Sequence, residues 1–202
     1  MSQIERSGRG IDATVTELEV PSAASLNRVG MAVVALLDRL TERLAFERSM
    51  TRLYEGLIAK LDKQGSFPDG PAREDLLAIQ NEEVRHVGLL HAAIQTLGGD
   101  PRAMSAGARL ARMTSSGVLQ VIVNSRTTLA QGLSAMLMVE RADSDGWRLL
   151  IELTRALGRH ELADSFYLAS AEEERHVEIV RRWVSHHALQ ELYAGLECQK
   201  AA

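Results

Sequence analysis

Cysteine is almost missing from this chain: Cys198, near the end, is the only one. That excludes an internal disulfide and any cysteine-rich zinc or rubredoxin-type iron site. Such sparing use fits a reducing compartment, and a cytoplasmic location is the expectation. Aromatic residues make up 4%, so a core has to be assembled from Leu, Val, Ile, Met and Ala, the side chains that fill helix interfaces. No stretch alternates with period two, which leaves no candidate strand. The longest apolar run, Met31 to Leu37, is far too short to span a bilayer, and residues 1 to 20 hold no apolar segment of the kind a secretory signal needs. There is no basic stripe either. Lys and Arg number 23 against 27 Asp and Glu, and the net charge of −4 is spread along the chain, which argues against nucleic acid or an anionic membrane as the main partner.

What the 202 residues do contain is helical periodicity on the scale of one domain. Residues 1–24 form a poorly patterned arm, with Pro21 and Ser25 leading into a helix. The domain proper is expected over 25–195, followed by a frayed tail over 196–202. In the first helix Leu37, Leu40, Leu44, Glu47, Thr51, Tyr54, Ile58 and Leu61 advance by three and four and draw one seam. Gly65 ends it, and Pro71 suits the first turn of the second helix. That helix has the seam Leu76, Ile79, Glu83, His86, Leu90, Ala93 and Leu97, and stops at "GGDP". A long connection to about residue 126, with room for a short helix, precedes the third seam: Leu129, Leu133, Met136, Glu140, Asp143, Trp147, Leu150, Thr154 and Leu157. The fourth follows at once with Leu162, Phe166, Ala169, Glu173, His176, Val180 and Trp183. Two helical hairpins joined by a connection of this length predict an all-α four-helix bundle with a long crossover between helices 2 and 3.

The two halves repeat one another. Glu47 matches Glu140 at an offset of 93, and "EEVRHV" at 82–87 matches "EEERHV" at 172–177 at an offset of 90, so Glu83 and His86 correspond to Glu173 and His176. This reads as a duplicated hairpin with a pseudo-two-fold axis at the bundle centre.

Four glutamates therefore sit where a bundle wants leucine. A buried carboxylate needs a proton or a positive partner, and no lysine or arginine lies on the four seams. Two divalent cations balance four carboxylates, with two neutral imidazoles as further ligands. Glu and His at i and i+3 share a helix face, so each pair can reach one ion. An oxygen-rich set with two nitrogens and no sulfur favours iron or manganese over structural zinc. A dinuclear metal site is expected, with ions roughly 3.5–4 Å apart.

With these residues in view, the chain over about residues 30 to 190 resembles the ferritin-like superfamily of di-iron carboxylate proteins. Its symmetric ligand set is most similar to bacterioferritin and rubrerythrin bundles. The resemblance implies that Glu47, Glu83, His86, Glu140, Glu173 and His176 bind two iron ions. Tyr54, seven residues after Glu47, stands where members of that superfamily often keep a tyrosine that bonds a ligand carboxylate or takes part in electron transfer. Its counterpart seven residues after Glu140 is Trp147, which can only donate; both are candidate catalytic residues. Glu82 and Glu172 stand where bacterioferritins carry an acid bonded to a ligand histidine, although a solvated face explains them equally. Arg48, Arg85, Arg141 and Arg175 read as surface ion-pairing residues, and His91, His160, His186 and His187 as surface histidines.

The activity implied is oxidation of Fe(II) by O2 or H2O2, as a ferroxidase or peroxidase-like protein of iron and oxidative-stress handling. A homo-oligomer such as a dimer is expected. Without a cysteine-rich segment there is no self-contained rubrerythrin electron route, and no extra helix of the cage ferritins is recognisable. The alternatives are a di-iron oxygenase acting on an organic substrate and a non-catalytic bundle that metals hold together.

Overall fold

The computed structural model describes residues 23–201, so the arm expected over 1–24 falls almost wholly outside the described residues. Those residues are all-helical and contain no strand: α1 (Ala23–Gln64), α2 (Arg73–Thr96), α3 (Ala106–Val123), α4 (Leu129–Ala156), α5 (His160–Ser165) and α6 (Tyr167–Ala201). None of these helices is long and apolar enough to cross a membrane.

The helix ends follow from local chemistry. Gly65, Gly98 and Gly158, each just beyond a helix, have φ of 75°, 77° and 68°, values at which a Cβ would be strained. Pro71, expected inside the second helix, lies just ahead of its N-cap Ala72. The Ala72 N–H donates to Asp75 Oδ2 at 2.9 Å. Ser105 caps α3 by accepting from Ala108 N–H, and at α4 Thr128 and Gln131 cap one another reciprocally.

Named contacts give the helix directions. Arg73 pairs with Asp62 at 3.1 Å, and Gly99 lies against Leu37, so α2 runs antiparallel to α1. The connection after α2 holds a full helix. Ser105 bonds Thr41 at 3.0 Å, and Lys60 donates to the carbonyls of Asn124 and Thr127, so α3 runs alongside α1 in the same direction. On α4, Gly132 meets Leu57 while Gly146 meets Arg43, antiparallel to α1. On α6, Glu174 pairs with Arg148 and Gln190 bonds the Pro68 carbonyl, antiparallel to α4.

Two departures from the sequence reading concern the last helix. The chain is interrupted at Phe166, between α5 and α6, where that side chain is fully buried with its ring 5.5 Å from that of Trp147. Beyond residue 196, where fraying was expected, α6 continues as helix to Ala201.

The apolar core is in two parts. One gathers Met50, Leu53, Leu57, Leu76, Leu133, Met136, Val180 and Trp183. The other gathers Leu36, Leu40, Leu44, Leu90, Ile94, Leu150 and Phe166. Between them every long helix except α3 contributes buried charge: Glu47 from α1, Glu83 and His86 from α2, Glu140 from α4, Glu173 and His176 from α6. Leucine packing above and below fixes the height at which these side chains meet and keeps bulk water away from them.

Candidate metal centre

The six side chains are 0 to 2% exposed and form two groups whose ligand atoms lie within 4.8 Å of one another: Glu47, Glu83, His86 and Glu173, then Glu83, Glu140, Glu173 and His176. Glu83 and Glu173 belong to both. Around His86 Nδ1 lie Glu173 Oε1 at 2.9 Å, Glu47 Oε2 at 3.5 Å and Glu83 Oε2 at 3.7 Å. Around His176 Nδ1 lie Glu83 Oε1 at 3.4 Å, Glu173 Oε2 at 3.6 Å and Glu140 Oε2 at 3.9 Å. Each shared glutamate thus turns one oxygen toward each histidine.

The atoms that converge are those left without partners. Both oxygens of Glu83 and Glu173, one each of Glu47 and Glu140, and both histidine Nδ1 atoms are buried with no hydrogen bond. Such atoms are rare in folded proteins and costly. The outward atoms of Glu47, Glu140, His86 and His176 are satisfied. Trp147 Nε1 donates to Glu47 Oε1 at 2.9 Å, and the Tyr54 hydroxyl donates to Glu140 Oε1. His86 Nε2 bonds Glu172 at 2.8 Å, and His176 Nε2 bonds Glu82 at 2.6 Å. The pattern is reciprocal: each half of the repeat supplies the partner of a carboxylate and of a histidine in the other half. These buried groups could hold a metal ion.

No family model, curated protein or solved structure matches the chain.

Glu82 and Glu172, for which the sequence left two readings open, both bond a histidine of the buried cluster. Arg175 holds Glu82 at 2.5 Å and Arg85 holds Glu172 at 2.8 Å, so these two arginines brace the site from its rim. The expectation that no arginine reaches the seams fails. Arg43, 7% exposed, has Nη2 2.9 Å from Asp143 Oδ1 and Nε 3.2 Å from Glu47 Oε1. It reaches inward because Gly146 leaves room: a Cβ there would lie 1.8 Å from Arg43 Nη1. Its Cζ also stands 4.1 Å from the centre of the Phe46 ring. The signal was present one turn from each ligand, Arg43 before Glu47 and Asp143 after Glu140, but only the packing of α1 on α4 joins them. His187 is half-buried, its ring 4.7 Å from that of Phe67, so it is not the free surface histidine expected.

As protein groups alone, these side chains have displaced proton affinities. Burial, reinforced by the Glu173 charge, pushes Glu83 up to about 8 despite its histidine partners. Burial likewise carries Glu140 and Asp143 well above the carboxylate range. Burial would raise Glu47, yet it goes the other way, to about 2, because the neighbouring His86 imidazole and the Arg43 charge outweigh it. Burial opposes the imidazolium of His176, yet Glu173 and Glu83 raise it to about 11. Burial and the Glu140 charge keep the Tyr54 hydroxyl protonated.

These directions set the pH dependence of the chelated protein. Folded Glu83 keeps its proton from its ordinary 4.5 up to about 8, so the folded state binds more protons than the unfolded one and stability falls as pH rises through that window. The raised His176 contributes stability that is full below 6.5 and lost as pH climbs through about 11, in the same sense. Glu47 acts only at the acid end, contributing stability above 4.5 that is lost as pH falls toward 2. The melting temperature in EDTA should therefore decline from about pH 5 to about pH 9. With a divalent ion present the slope should reverse, because protons and metal compete for the same atoms. Melting curves with and without Mn(II) check this; parallel profiles would mean that the ion binds elsewhere.

Proposed function

We propose that this chain is a ferritin-like di-iron protein that oxidises Fe(II) with O2 or H2O2, with manganese as the alternative occupant. The bundle part of this reading is supported by the chain path. The hairpins α1–α2 and α4–α6 are joined by a segment whose helix α3 runs along α1 from Thr41 to Lys60, in the same direction, as a crossover requires.

One observation carries the site reading: eight converging atoms lack partners while the outward atoms of Glu47, Glu140, His86 and His176 are bonded. Charge supports the number two. The five carboxylates at 0% exposure, Glu47, Glu83, Glu140, Asp143 and Glu173, less the Arg43 guanidinium leave four negative charges, which two divalent ions balance.

Two ferrous ions bound there supply the two electrons needed to cleave the O–O bond of a peroxide or to begin the reduction of O2. The residues do the rest. Glu83 and Glu173 offer an oxygen to each position. Glu82 and Glu172 fix the tautomer of the histidines so that Nδ1 faces inward. Tyr54 and Trp147 hold the outer carboxylates by donation, and Tyr54 keeps an O–H one hydrogen bond from the reacting centre. The apolar layers on either side restrict water.

Anaerobic titration with Fe(II), followed by O2 or H2O2, tests the reading. Expected are two irons per chain by metal analysis and repeated consumption of oxidant, both changed by Glu140→Ala. Bound iron without turnover would favour the non-catalytic, metal-held bundle; no uptake of iron or manganese would end the site assignment.

A second reading, oxygenation of an organic substrate, has one observation in its favour. A cavity of about 210 Å3 between α1 and α4 is lined by Phe46, Gly146, Leu149, Leu150 and Leu153, and by Arg43, which also touches Glu47. Stoichiometric incorporation of oxygen into a small apolar compound would favour it. For the expected homo-oligomer the support is an exposed apolar stripe on α6, Leu189, Leu192, Tyr193 and Leu196. Sedimentation measures whether it is covered in solution.

A further inference from the structure

On the outer side of α1, where α3 lies along it, two adjoining cavities of about 180 Å3 each share Ser49, Arg52 and Arg112. Arg48 and Arg102 line the first, and Ser115 lines the second. Among the described residues no carboxylate lines either cavity. In a chain of net charge −4 this is a local surplus of positive charge, whereas three exposed arginines elsewhere, Arg73, Arg148 and Arg175, have carboxylate partners. Arg102 has Asp100 at 3.1 Å. Arg48, Arg52 and Arg112 have no acidic partner among the described residues.

The grouping follows from helix geometry and is invisible along the linear chain. Arg48 and Arg52 are four apart on one face of α1, and α3, docked by the Thr41–Ser105 bond, brings Arg112 across from them. The hydroxyls nearby cannot supply donors, because Ser49 and Ser115 donate to the carbonyls four residues back, Ala45 and Ala111. The groove therefore offers guanidinium groups alone. Like charges held together repel, and planar forks of N–H donors match the oxygens of phosphate.

We propose that this groove binds a small anion carrying more than one phosphate group. The two joined cavities suit a molecule of metabolite size. A nucleic-acid backbone is disfavoured by the confined concavity and by the chain's overall negative charge. The site faces away from the buried carboxylates and does not depend on their occupancy.

Calorimetric titration of the full chain with fructose 1,6-bisphosphate at low ionic strength tests it. Saturable binding is expected, weakened roughly tenfold or more by Arg52→Gln or Arg112→Gln, the loss of a charge-assisted bond. Arg52→Lys, which keeps the charge but not the fork, should recover only part. Arg126→Gln, an exposed arginine outside the groove, should bind as the unaltered chain does. Melting curves would show that the variants remain folded. Absence of saturable binding, an equal loss in Arg126→Gln, or tighter binding of a 20-base-pair DNA duplex than of the bisphosphate would each overturn the proposal.

Discussion

Glu83→Ala should take up neither ion of the proposed pair, whereas Glu140→Ala should still hold one. Glu83 and Glu173 belong to both groups of ligand atoms, while Glu47 and His86 belong to one and Glu140 and His176 to the other. Deleting a shared carboxylate leaves each position short of a ligand and removes one of the charges that balance the ions. Deleting Glu140 spares Glu47, Glu83, His86 and Glu173. Loss of an outer partner of a ligand costs roughly 10–100-fold in metal affinity, and loss of a direct ligand should exceed that. Both variants should stop oxidant consumption, because a lone ferrous ion carries one electron where the chemistry needs two. The effect on the chelated chain should have the opposite sign. Glu83 is held protonated to about pH 8 by burial and by its neighbour Glu173, so its removal relieves repulsion, and Glu83→Ala should melt no lower than the parent in EDTA above pH 8. Metal analysis and paired melting curves, with Mn(II) and with EDTA, separate these effects. If Glu83→Ala and Glu140→Ala retained the same metal content, the shared role of Glu83 would be wrong.

How much of this could be read along the chain depends on whether a feature is periodic. The helices and their stops at Gly65, Gly98 and Gly158 are local, written in three-and-four spacing and in residues that tolerate positive φ. The six residues of the buried cluster were legible for the same reason: a charged residue on an apolar seam is an anomaly that one strand of text displays, and its repetition at offsets of 93 and 90 doubled the signal. What could not be read was everything that depends on two helices lying side by side. Glu82 and Glu172 sit in polar runs, and only the approach of α2 to α6 decides that each faces a histidine of the other helix. Arg43 is one turn from Glu47 and off its seam; what turns it inward is the missing side chain at Gly146, more than a hundred positions away. The full helix α3 lay in a connection whose apolar and small residues have a partner only once α1 is beside them. The same is true of the arginine groove, since Arg112 is remote from Arg48 and Arg52 until α3 docks.

Arg43→Met should destabilise the fold by about 3–5 kcal/mol, the range found when one partner of a buried ion pair is removed. Asp143 is fully buried and both its oxygens lack a hydrogen bond, so Arg43 at 2.9 Å is what compensates it. Burial already raises Asp143 well above the carboxylate range and Arg43 is the group that opposes this; without the guanidinium the acid keeps its proton, and a neutral acid still has unsatisfied oxygens. Removing both groups is a different matter. Arg43→Met combined with Asp143→Leu exchanges a buried pair for apolar packing, which is often neutral or stabilising, so the double variant should regain most of what the single one loses. Gly146→Ala tests the same contact without touching a charge. Its Cβ would lie 1.8 Å from Arg43 Nη1, so the guanidinium must withdraw from Asp143 or from Glu47, and stability should fall here too. Urea unfolding of the three variants in EDTA measures the losses free of metal linkage. The double variant also keeps the sum of buried charge near the ligands unchanged, one positive and one negative group having left together, and should still take up two ions per chain. A double variant as unstable as Arg43→Met would show that Asp143 is not what Arg43 serves. One that folds well but binds no metal would show that the pair orients Glu47 toward His86, and so belongs to the binding site itself.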